Sequence, residues 1–516
     1  MTYSFNLVEQ PWIPCRTLEG QIQELSLREV FKQANRLQAV SGDTPLETAA
    51  IYRLLLAILH SVLRGPTDAR EWRTLWQSRN LDASGIQEYL ERWKSRFDLF
   101  DPVRPFYQAG DKRAHPKSII SLVMEMASGN NASLFDHHIE EVGAMLSAAK
   151  SARVLITAQT FGLAGLSGME QKFTDCPWTR GIIFFINGDT LFDLLVLNLA
   201  TAIVQQRIPI TGEDQPAWES DDPYLPDRNV PFGYLDYLTW QNRRLLLIPE
   251  GDEDSPIVRQ FTVAPALRLS ADVLDPMKHY RVDEKAGNLV LRFNEERALW
   301  RDSAALFRLH NPTTARPPEN FYAVASLATD YGYLPSSSVL RFQALGMAND
   351  QAKIEFFRQE QLPLPLAYLQ DDELIGSLTN CLAQAEQAYS GLGMAGKTLA
   401  LAAISPKDMD KSWKDISRNT KDQAANLFRH WGADRLYWGA LDIPFLQLLA
   451  DLPASTEAAI GRWQNEVRQA AWDALDYAIA QMGEAPLVYK STVNARSILG
   501  GKLREIFPEN QKEVIA

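Results

Sequence analysis

The sequence predicts an α+β protein: a mixed α/β domain of unusual topology at residues 1–365, followed by a C-terminal four-helix-type bundle at 366–516. Strand-like and helix-like segments alternate in the first part. Long Ala-, Leu- and Gln-rich segments with helical periodicity dominate the second part. With 516 residues, the chain is also longer than one hydrophobic core normally accommodates, which favours two or three domains.

The first elements alternate between strand and helix. Residues 5–15 are strand-like, a turn is expected at 19–20, and residues 21–25 return as a second strand. Ser26 and Glu29 have the spacing of a capping box, which predicts that a short helix begins there.

The clearest helix signal follows. Thr44 is a good N-cap, Pro45 suits the first helical position, and Glu47 has the spacing of a capping-box partner. The apolar run after them predicts a helix that ends at Gly65.

The middle of the chain is less regular. Residues 125–180 show little periodicity and many small residues, which is typical of functional or disordered loops. A buried strand and helix are expected at 182–205, an acidic Pro-rich insertion at 212–228, and β-like segments at 243–249 and 258–270. The helical segments predicted for the C-terminal part are 371–390, 394–404, 417–451, 455–482 and 491–506.

Charge and cysteine content limit the class of protein. The net charge of −12, with a pI near 5.3, argues against binding bare DNA through a broad basic face and leaves room only for local contacts. Cys15, Cys176 and Cys381 lie far apart without a CxxC pair, which indicates a reducing compartment and argues against a cysteine zinc site. No secretory signal and no long uninterrupted apolar run are present. The sequence therefore predicts a cytoplasmic protein without a membrane partner.

One segment matches a nucleotide-binding motif. Residues Gly391–Thr398 satisfy GxxxxGK[ST], in which Lys397 would reach the outer phosphates and Thr398 would hold Mg²⁺. The motif requires a buried strand before the loop, but the preceding residues favour an amphipathic helix. A helix–turn–helix corner is therefore the favoured interpretation, and a P-loop-type nucleotide-binding protein is the alternative function.

Metal binding and catalysis find little support. His137-His138 with Glu140-Glu141 contains metal-ligand residue types, but neighbours on irregular backbone do not converge easily on one ion. The sequence shows no GxSxG or HExxH motif. We therefore predict no catalytic residue, no metal and no cofactor.

Two polar loops are candidates for contact with a ligand. The loop Gly162-Leu-Ala-Gly165-Leu-Ser-Gly168 would let its backbone approach a sugar-phosphate or a base edge closely, although the residues by themselves favour a flexible surface turn. Asn349 and Asp350 suit a turn, after which Gln351 is either an exposed polar residue or an amide presented to a base edge.

Taken together, segments spread over the first 365 residues resemble, in order, the CasA family, the large DNA-reading subunits of type I-E CRISPR surveillance complexes. No single segment is a strong motif, but the ordered set is specific. The matching segments are FNLVEQPWIP (5–14), PLETAAIYRLLLAILH (45–60), RFDLFDPVRPFYQ (96–108), GNNASLFDHH (129–138), the glycine loop (162–168), LDPMKHYR (274–281), LRFNEERALWRDS (291–303) and LGMANDQAKIEFFRQEQLPLP (345–365).

The resemblance implies a non-catalytic role beside a CRISPR guide RNA and the other Cascade subunits. The guide RNA recognises target double-stranded DNA by base pairing, and the protein reads only a short flanking element, the PAM. The family does this from the minor groove, starts strand separation, and positions a separate helicase-nuclease for antiviral defence. A scaffold that never contacts DNA is a further alternative.

The resemblance also implies residue roles. Gly162 and Gly165 match a glycine loop that lies against the minor groove, Arg268 matches a basic finger, and Gln351 matches a wedge that opens the duplex. Phe135 matches an aromatic residue that anchors a loop near the guide 5′ handle, with a core phenylalanine as the alternative. Some relatives bind zinc through two cysteine pairs; this chain lacks the pairs, so we expect no zinc.

Overall fold

The chain divides into two compact units in a computed structural model. Unit 1 comprises Met1–Leu299 and Leu309–Gln370, and unit 2 comprises Trp300–Arg308 and Asp371–Ala516. Residues 300–308, placed in the first domain by the sequence analysis, thus join the helical unit. The residues that the structure describes are 2–64, 66, 68–81, 85–125, 145–199, 207–309, 314–335, 337–350, 353–409, 411–482 and 486–508.

Unit 1 mixes short helices with small sheets, which confirms the α+β class. Its helices are α1 (Leu27–Gln33), α2 (Pro45–Leu63), α3 (Ala69–Ser78), α4 (Ile86–Trp93), α5 (Ala148–Phe161), α6 (Leu191–Leu197), α7 (Tyr234–Leu238) and α9 (Glu319–Thr329). Its strands are β1 (Ile13–Thr17), β2 (Ile22–Leu25), β3 (Leu37–Val40), β4 (Lys117–Ser118), β5 (Leu146–Ser147), β6 (Ile183–Asn187), β7 (Arg243–Gly251), β8 (Pro256–Pro265), β9 (Tyr280–Asp283), β10 (Gly287–Val290), β11 (Ala315–Arg316), β12 (Val339–Asp350) and β13 (Lys353–Pro365).

The strands pair antiparallel in four sheets within the described part of unit 1. Three sheets have the orders β2-β1-β3, β10-β9-β11 and β13-β12-β6, and in the fourth β8 pairs with β4, β5 and β7. The strand predicted at 5–15 is wrong in its first half, because residues 7–10 form a turn and β1 begins at Ile13. The turn closes with the Gln10 amide donating to the carbonyl of Asn6 over 2.8 Å.

Local capping signals were predicted well. Ser26 and Glu29 form the complete capping box of α1. At α2, the Thr44 hydroxyl accepts a hydrogen bond from the Glu47 amide, and Pro45 occupies the first turn. The helix ends at Leu63 with Arg64 in the left-handed region, and the predicted stop at Gly65 lies outside the described residues.

Two long apolar helices form much of the unit 1 core. By length and composition α2 is apolar enough to cross a membrane, but 83% of its apolar window is buried inside the protein, as expected of a core helix. Helix α5 falls in the stretch 125–180, where the sequence shows little periodicity. It is buried on nearly every side, so no polar face marks its period.

Unit 2 is a helical bundle around one long helix. The helices are α8 (Ser303–Phe307), α10 (Asp372–Ile404), α11 (Arg418–Trp431), α12 (Ala433–Ala440), α13 (Asp442–Asp451), α14 (Thr456–Ala480) and α15 (Pro486–Ile506). Helices α11, α14 and α15 all pack against α10. The predicted break near 391–393 is absent from α10, whereas the single segment predicted at 417–451 is three helices.

Aromatic packing explains why residues 300–308 belong to unit 2. The Trp300 ring stacks on Phe445, with ring centroids 4.6 Å apart, and its indole nitrogen donates to Asp442 over 2.7 Å. Next to it, the Arg301 guanidinium donates to both carboxylate oxygens of Glu386 and lies over the Trp438 ring. These contacts hold the short segment 300–308 against the helices of the bundle.

Candidate nucleic-acid interface

The glycine loop (Gly162–Gly168) begins where α5 ends. Gly162 is buried, and its amide donates to the Ala158 carbonyl over 3.1 Å. Its carbonyl accepts hydrogen bonds from the Cys176 amide at 2.9 Å and from the Thr179 hydroxyl at 2.8 Å. Both backbone groups of Gly162 are therefore engaged inside the protein.

A buried arginine explains why position 162 is glycine. A Cβ atom at Gly162 would lie 2.5 Å from the guanidinium carbon of Arg243 and 2.6 Å from the Ala158 carbonyl oxygen. Arg243 is held in place because it donates to the Leu163 carbonyl over 2.7 Å and to the Cys176 sulfur. Gly162 thus supports the loop from within.

Gly165 differs from Gly162 in the space around its Cα atom. It pairs with Phe173 through two backbone hydrogen bonds of 3.3 and 3.0 Å, and no atom lies within 4 Å of the place that a Cβ would occupy. Leu166 beside it is 84% exposed, and Gly168 turns the chain at a φ of +77°. The accessible backbone of the loop is therefore at Gly165 and the residues that follow it.

Arg268 lies in the same region as the glycine loop. The Gln171 side chain, which follows the loop, reaches the Ala266 carbonyl at 3.5 Å. Leu267 is buried in an apolar cluster with Tyr224 and Trp240, while Arg268 itself is exposed. No hydrogen bond or ion pair to another described residue holds the Arg268 guanidinium. The structure thus presents an exposed cation on a well-packed base, two residues after the Ala266 carbonyl that Gln171 reaches.

The third candidate element is the long β12–β13 hairpin. Its ladder extends to the pair Asp350 and Lys353, and Gln351 itself lies outside the described residues. Gly346 allows close packing, because a Cβ there would meet the Gly181 carbonyl oxygen at 3.0 Å. Arg358 braces the opposite strand by donating to the Asn294 carbonyl over 2.8 Å.

A support segment, defined as residues 173–182, links these elements. Its first residue pairs with Gly165, and Gly181 near its end packs against Gly346 of the hairpin. Asp175 within it accepts a hydrogen bond from the Ala164 amide over 2.7 Å and forms an ion pair with Arg180 at 2.8 Å. The glycine loop and the hairpin are therefore both in contact with this segment.

Buried charges fasten the support segment from beneath. The Trp178 indole nitrogen donates to Asp275 over 2.6 Å, and the Lys278 ammonium donates to the Pro177 carbonyl over 2.7 Å. Burial lowers the pKa of Lys278 to about 8, while the nearby Asp275 carboxylate favours its charged form. Roles for Arg243, Asp275 and Lys278 were not predicted, because isolated polar residues carry no spacing signal.

Two further expectations concern residues outside the part of the chain that the structure describes. Phe135, the predicted loop anchor, and the His137-His138 pair both lie in the stretch 126–144. Across the parts of the chain that are described, no group of three His, Cys, Asp or Glu side chains is arranged to hold a metal ion.

The P-loop-like segment has a structural explanation. Residues Gly391–Thr398 lie in the interior of α10, so both the nucleotide-binding loop and the predicted helix–turn–helix corner are wrong. A Cβ at Gly396 would meet the ring of Phe428 on α11 at 2.0 Å. The Thr398 hydroxyl donates to the Met394 carbonyl, one turn earlier in the helix. The glycine allows α10 and α11 to pack closely, and the backbone amides needed for a phosphate are used by the helix.

Comparison with known proteins places this arrangement among CRISPR-associated proteins. A family model described as CRISPR-associated protein Cse1 matches residues 6–474. A CRISPR-associated protein CasA/Cse1 from Thermus thermophilus is 32% identical over 517 residues, covering 98% of each chain. The crystal structure of CasA from Thermus thermophilus superposes with a TM-score of 0.79 at 28% identity, covering 97% of this chain and 99% of that one.

The match to the family model and the sequence identity to the Thermus thermophilus protein together establish the family of this chain. The chain belongs to the Cse1 (CasA) family of CRISPR-associated proteins. The resemblance noted from the ordered sequence segments is confirmed. A chain of a CRISPR RNA-guided surveillance complex shares the fold, with a TM-score of 0.74 at 23% identity over 96% of this chain and 100% of that one.

Proposed function

We propose that the chain is the non-catalytic large subunit of a cytoplasmic type I-E CRISPR RNA-guided complex. In that complex it reads the PAM of target duplex DNA from the minor groove and starts strand separation. A separate helicase-nuclease, positioned by this subunit, then destroys the DNA. Family membership supports the role in the complex, and the loop geometry supports the mode of DNA reading.

The observation that carries the proposal is that one region of the protein offers both an open stretch of backbone and an exposed cation. Gly165 offers a peptide surface without a side chain, and Arg268 projects from a packed base in the same region. A narrow groove admits flat backbone and a guanidinium, and phosphates on both sides attract the positive charge. The minor groove distinguishes mainly A·T from G·C, so we expect the reading to tolerate several PAM sequences.

Gln351 supplies the opening step in this proposal. A side chain pushed between base pairs costs a few kcal/mol of unstacking, which the guide heteroduplex then offsets. The long ladder that ends at Asp350 and Lys353 provides a stiff base for such a wedge. Because the net charge is −12, the more basic partners in the complex must provide most of the affinity for the phosphate backbone.

The decisive experiment compares two single variants in the assembled complex with guide RNA. Arg268→Ala and Gln351→Ala are each tested on a matched duplex and on the same duplex pre-melted beside the PAM. We expect each variant to bind the intact duplex at least about tenfold more weakly, which corresponds to about 1.4 kcal/mol. Pre-melting should rescue Gln351→Ala, because the wedge is then unnecessary, and should leave the Arg268→Ala defect in place.

Arg281→Ala provides a matched control, since Arg281 is an exposed arginine on β9. It should bind both duplexes like the wild type. The mechanism is wrong if Arg268→Ala and Gln351→Ala retain full PAM-dependent binding, or if pre-melting fails to separate them.

A further inference from the structure

A polar cleft lies on one face of the β13-β12-β6 sheet in unit 1. Its volume is about 490 Å³, within the range of small-molecule sites. The opposite wall is the segment 38–48, which leads from β3 into α2. The cleft is separate from the glycine loop and from Arg268, neither of which lines it.

Strand register explains why amide side chains collect there. Gln343 of β12 stands directly opposite Gln361 of β13, so both side chains lie on the same face of the sheet. Gln359 lies two residues before Gln361 and shares that face. On the other side, Arg341 is opposite Asn187 of β6. These polar side chains share the face with buried Phe185, which stands opposite Gln343, and buried Leu345, which stands opposite Gln359.

The floor of the cleft contains unpaired hydrogen-bonding atoms. The Asn187 amide nitrogen donates to the Gln343 side-chain oxygen over 3.1 Å. The remaining atoms of this pair, Asn187 Oδ1 and Gln343 Nε2, are buried without a hydrogen-bond partner among the described residues. Gln343 is only 4% exposed and lies beside the Tyr52 hydroxyl, but the two groups do not complete a hydrogen bond of normal geometry. One acceptor and one donor of these two amides are therefore left without a partner among the described residues.

The charged side chains at the rim of the cleft differ in whether they have an ion-pair partner. Arg341 is paired with Asp189 at 2.8 Å, and Asp43 is paired with Lys150 at 2.7 Å. Arg16 lines the cleft, is exposed, and has no ion pair with another described residue. The cleft thus combines an amide-rich floor with an exposed guanidinium at its edge.

We propose that this cleft binds a single unstacked nucleotide, with its base against the amides of Gln343, Asn187 and Gln361 and its phosphate against Arg16. Every nucleobase carries adjacent donors and acceptors on its edge, and amide side chains read such edges with paired hydrogen bonds. The 5′-phosphate is the group that an exposed arginine recognises best. The choice of a nucleotide over other polar ligands rests on the proposed nucleic-acid role.

The test uses the purified full-length chain and the four nucleoside 5′-monophosphates. Binding is followed by titration calorimetry and by saturation transfer to the base protons. We expect saturable binding with a Kd on the order of 1 mM or tighter for at least one nucleotide. Ribose 5-phosphate, which lacks the base, should bind at least about tenfold more weakly.

Three variants locate the site. Gln361→Leu should weaken nucleotide binding about tenfold by removing hydrogen bonds to the base. Arg16→Ala should weaken binding of the monophosphate but leave binding of the corresponding nucleoside unchanged, because Arg16 is proposed to contact only the phosphate. Gln260→Leu on β8 is the matched control, because Gln260 is an exposed glutamine that does not line the cleft, and it should bind normally.

The inference is overturned if no monophosphate saturates the chain, if ribose 5-phosphate binds as tightly as the nucleotides, or if Gln361→Leu behaves like Gln260→Leu. These outcomes leave the PAM-reading proposal standing, since that rests on Arg268 and Gln351 in the assembled complex. Conversely, normal nucleotide binding together with unimpaired PAM reading by the Arg268 and Gln351 variants would remove only the latter proposal.

Discussion

Substitution of Gly162 or Gly165 by alanine separates support of the glycine loop from contact with DNA. At Gly162 an added methyl group would lie 2.5 Å from Arg243 and 2.6 Å from the Ala158 carbonyl oxygen, far inside ordinary contact distance. Arg243 is 6% exposed and hydrogen-bonded to Leu163 and Cys176, so it has little room to retreat. At Gly165 the same methyl group would meet no atom within 4 Å.

These contacts set the expected magnitudes. Overpacking of this kind costs about 1–3 kcal/mol, and loss of one Arg243 hydrogen bond adds about 1 kcal/mol. Gly162→Ala should therefore destabilise the end of α5 by about 2–4 kcal/mol. Gly165→Ala should change stability by no more than about 0.5 kcal/mol, as do most substitutions at open positions.

Hydrogen–deuterium exchange on the full-length chain measures the two effects locally. Gly162→Ala should accelerate exchange of the amides of Cys176 and Trp178, which bond back to Gly162 and Thr160. Gly165→Ala should leave exchange unchanged and yet weaken PAM-dependent binding of the assembled complex, because its methyl group fills the surface proposed to face the groove. Normal exchange in Gly162→Ala would refute the packing argument. Unimpaired DNA binding by Gly165→Ala would refute the assigned role of Gly165.

Two further predictions concern the core of each unit. In α10, Gly396→Ala should lower the free energy of unfolding by about 1–2 kcal/mol, because overpacking against Phe428 outweighs the gain in helix propensity. In the control Gly393→Ala, the added methyl group meets open space and should raise the free energy of unfolding by up to about 1 kcal/mol. Equal changes in the amide exchange rates of α10 in the two variants would contradict the packing argument. Burial lowers the pKa of His60 to about 4 from its ordinary 6.5, so the stability that its neutral form contributes, about 3 kcal/mol, should be lost as pH falls from 6.5 to 4. Denaturant titrations across that range should show a shallower pH dependence for His60→Leu, and equal slopes would exclude His60 as the titrating group.

The α10 glycines show how a motif loses its meaning in context. GxxxxGK[ST] binds phosphate only where a strand leads into an open loop whose amides point at the anion. Here Gly391–Thr398 lies inside a 33-residue helix, and the close approach of Phe428 accounts for Gly396. The absence of a strand before the loop is visible in the sequence. The predicted corner is wrong because glycines usually mark the end of a helix, whereas α10 continues through them.

The sequence alone determined the features that depend on neighbouring residues. The caps at Ser26 and Thr44 were predicted from spacing, since the capping side chain bonds an amide only three residues away. Family membership was likewise available, because it rests on the order of segments along the chain. The α+β class and the helical C-terminal unit followed from periodicity, which is also local.

Only the tertiary structure decided which candidate residues face outward. Gly162 and Gly165 are indistinguishable in the sequence, yet one is closed by Arg243, 81 positions later, and the other is open. The amide cleft is equally invisible, because Asn187 and Gln343 become neighbours only through the pairing of β6 with β12. Exposure and partnership depend on residues far apart in the chain, and no local pattern encodes which of them the fold will bring together.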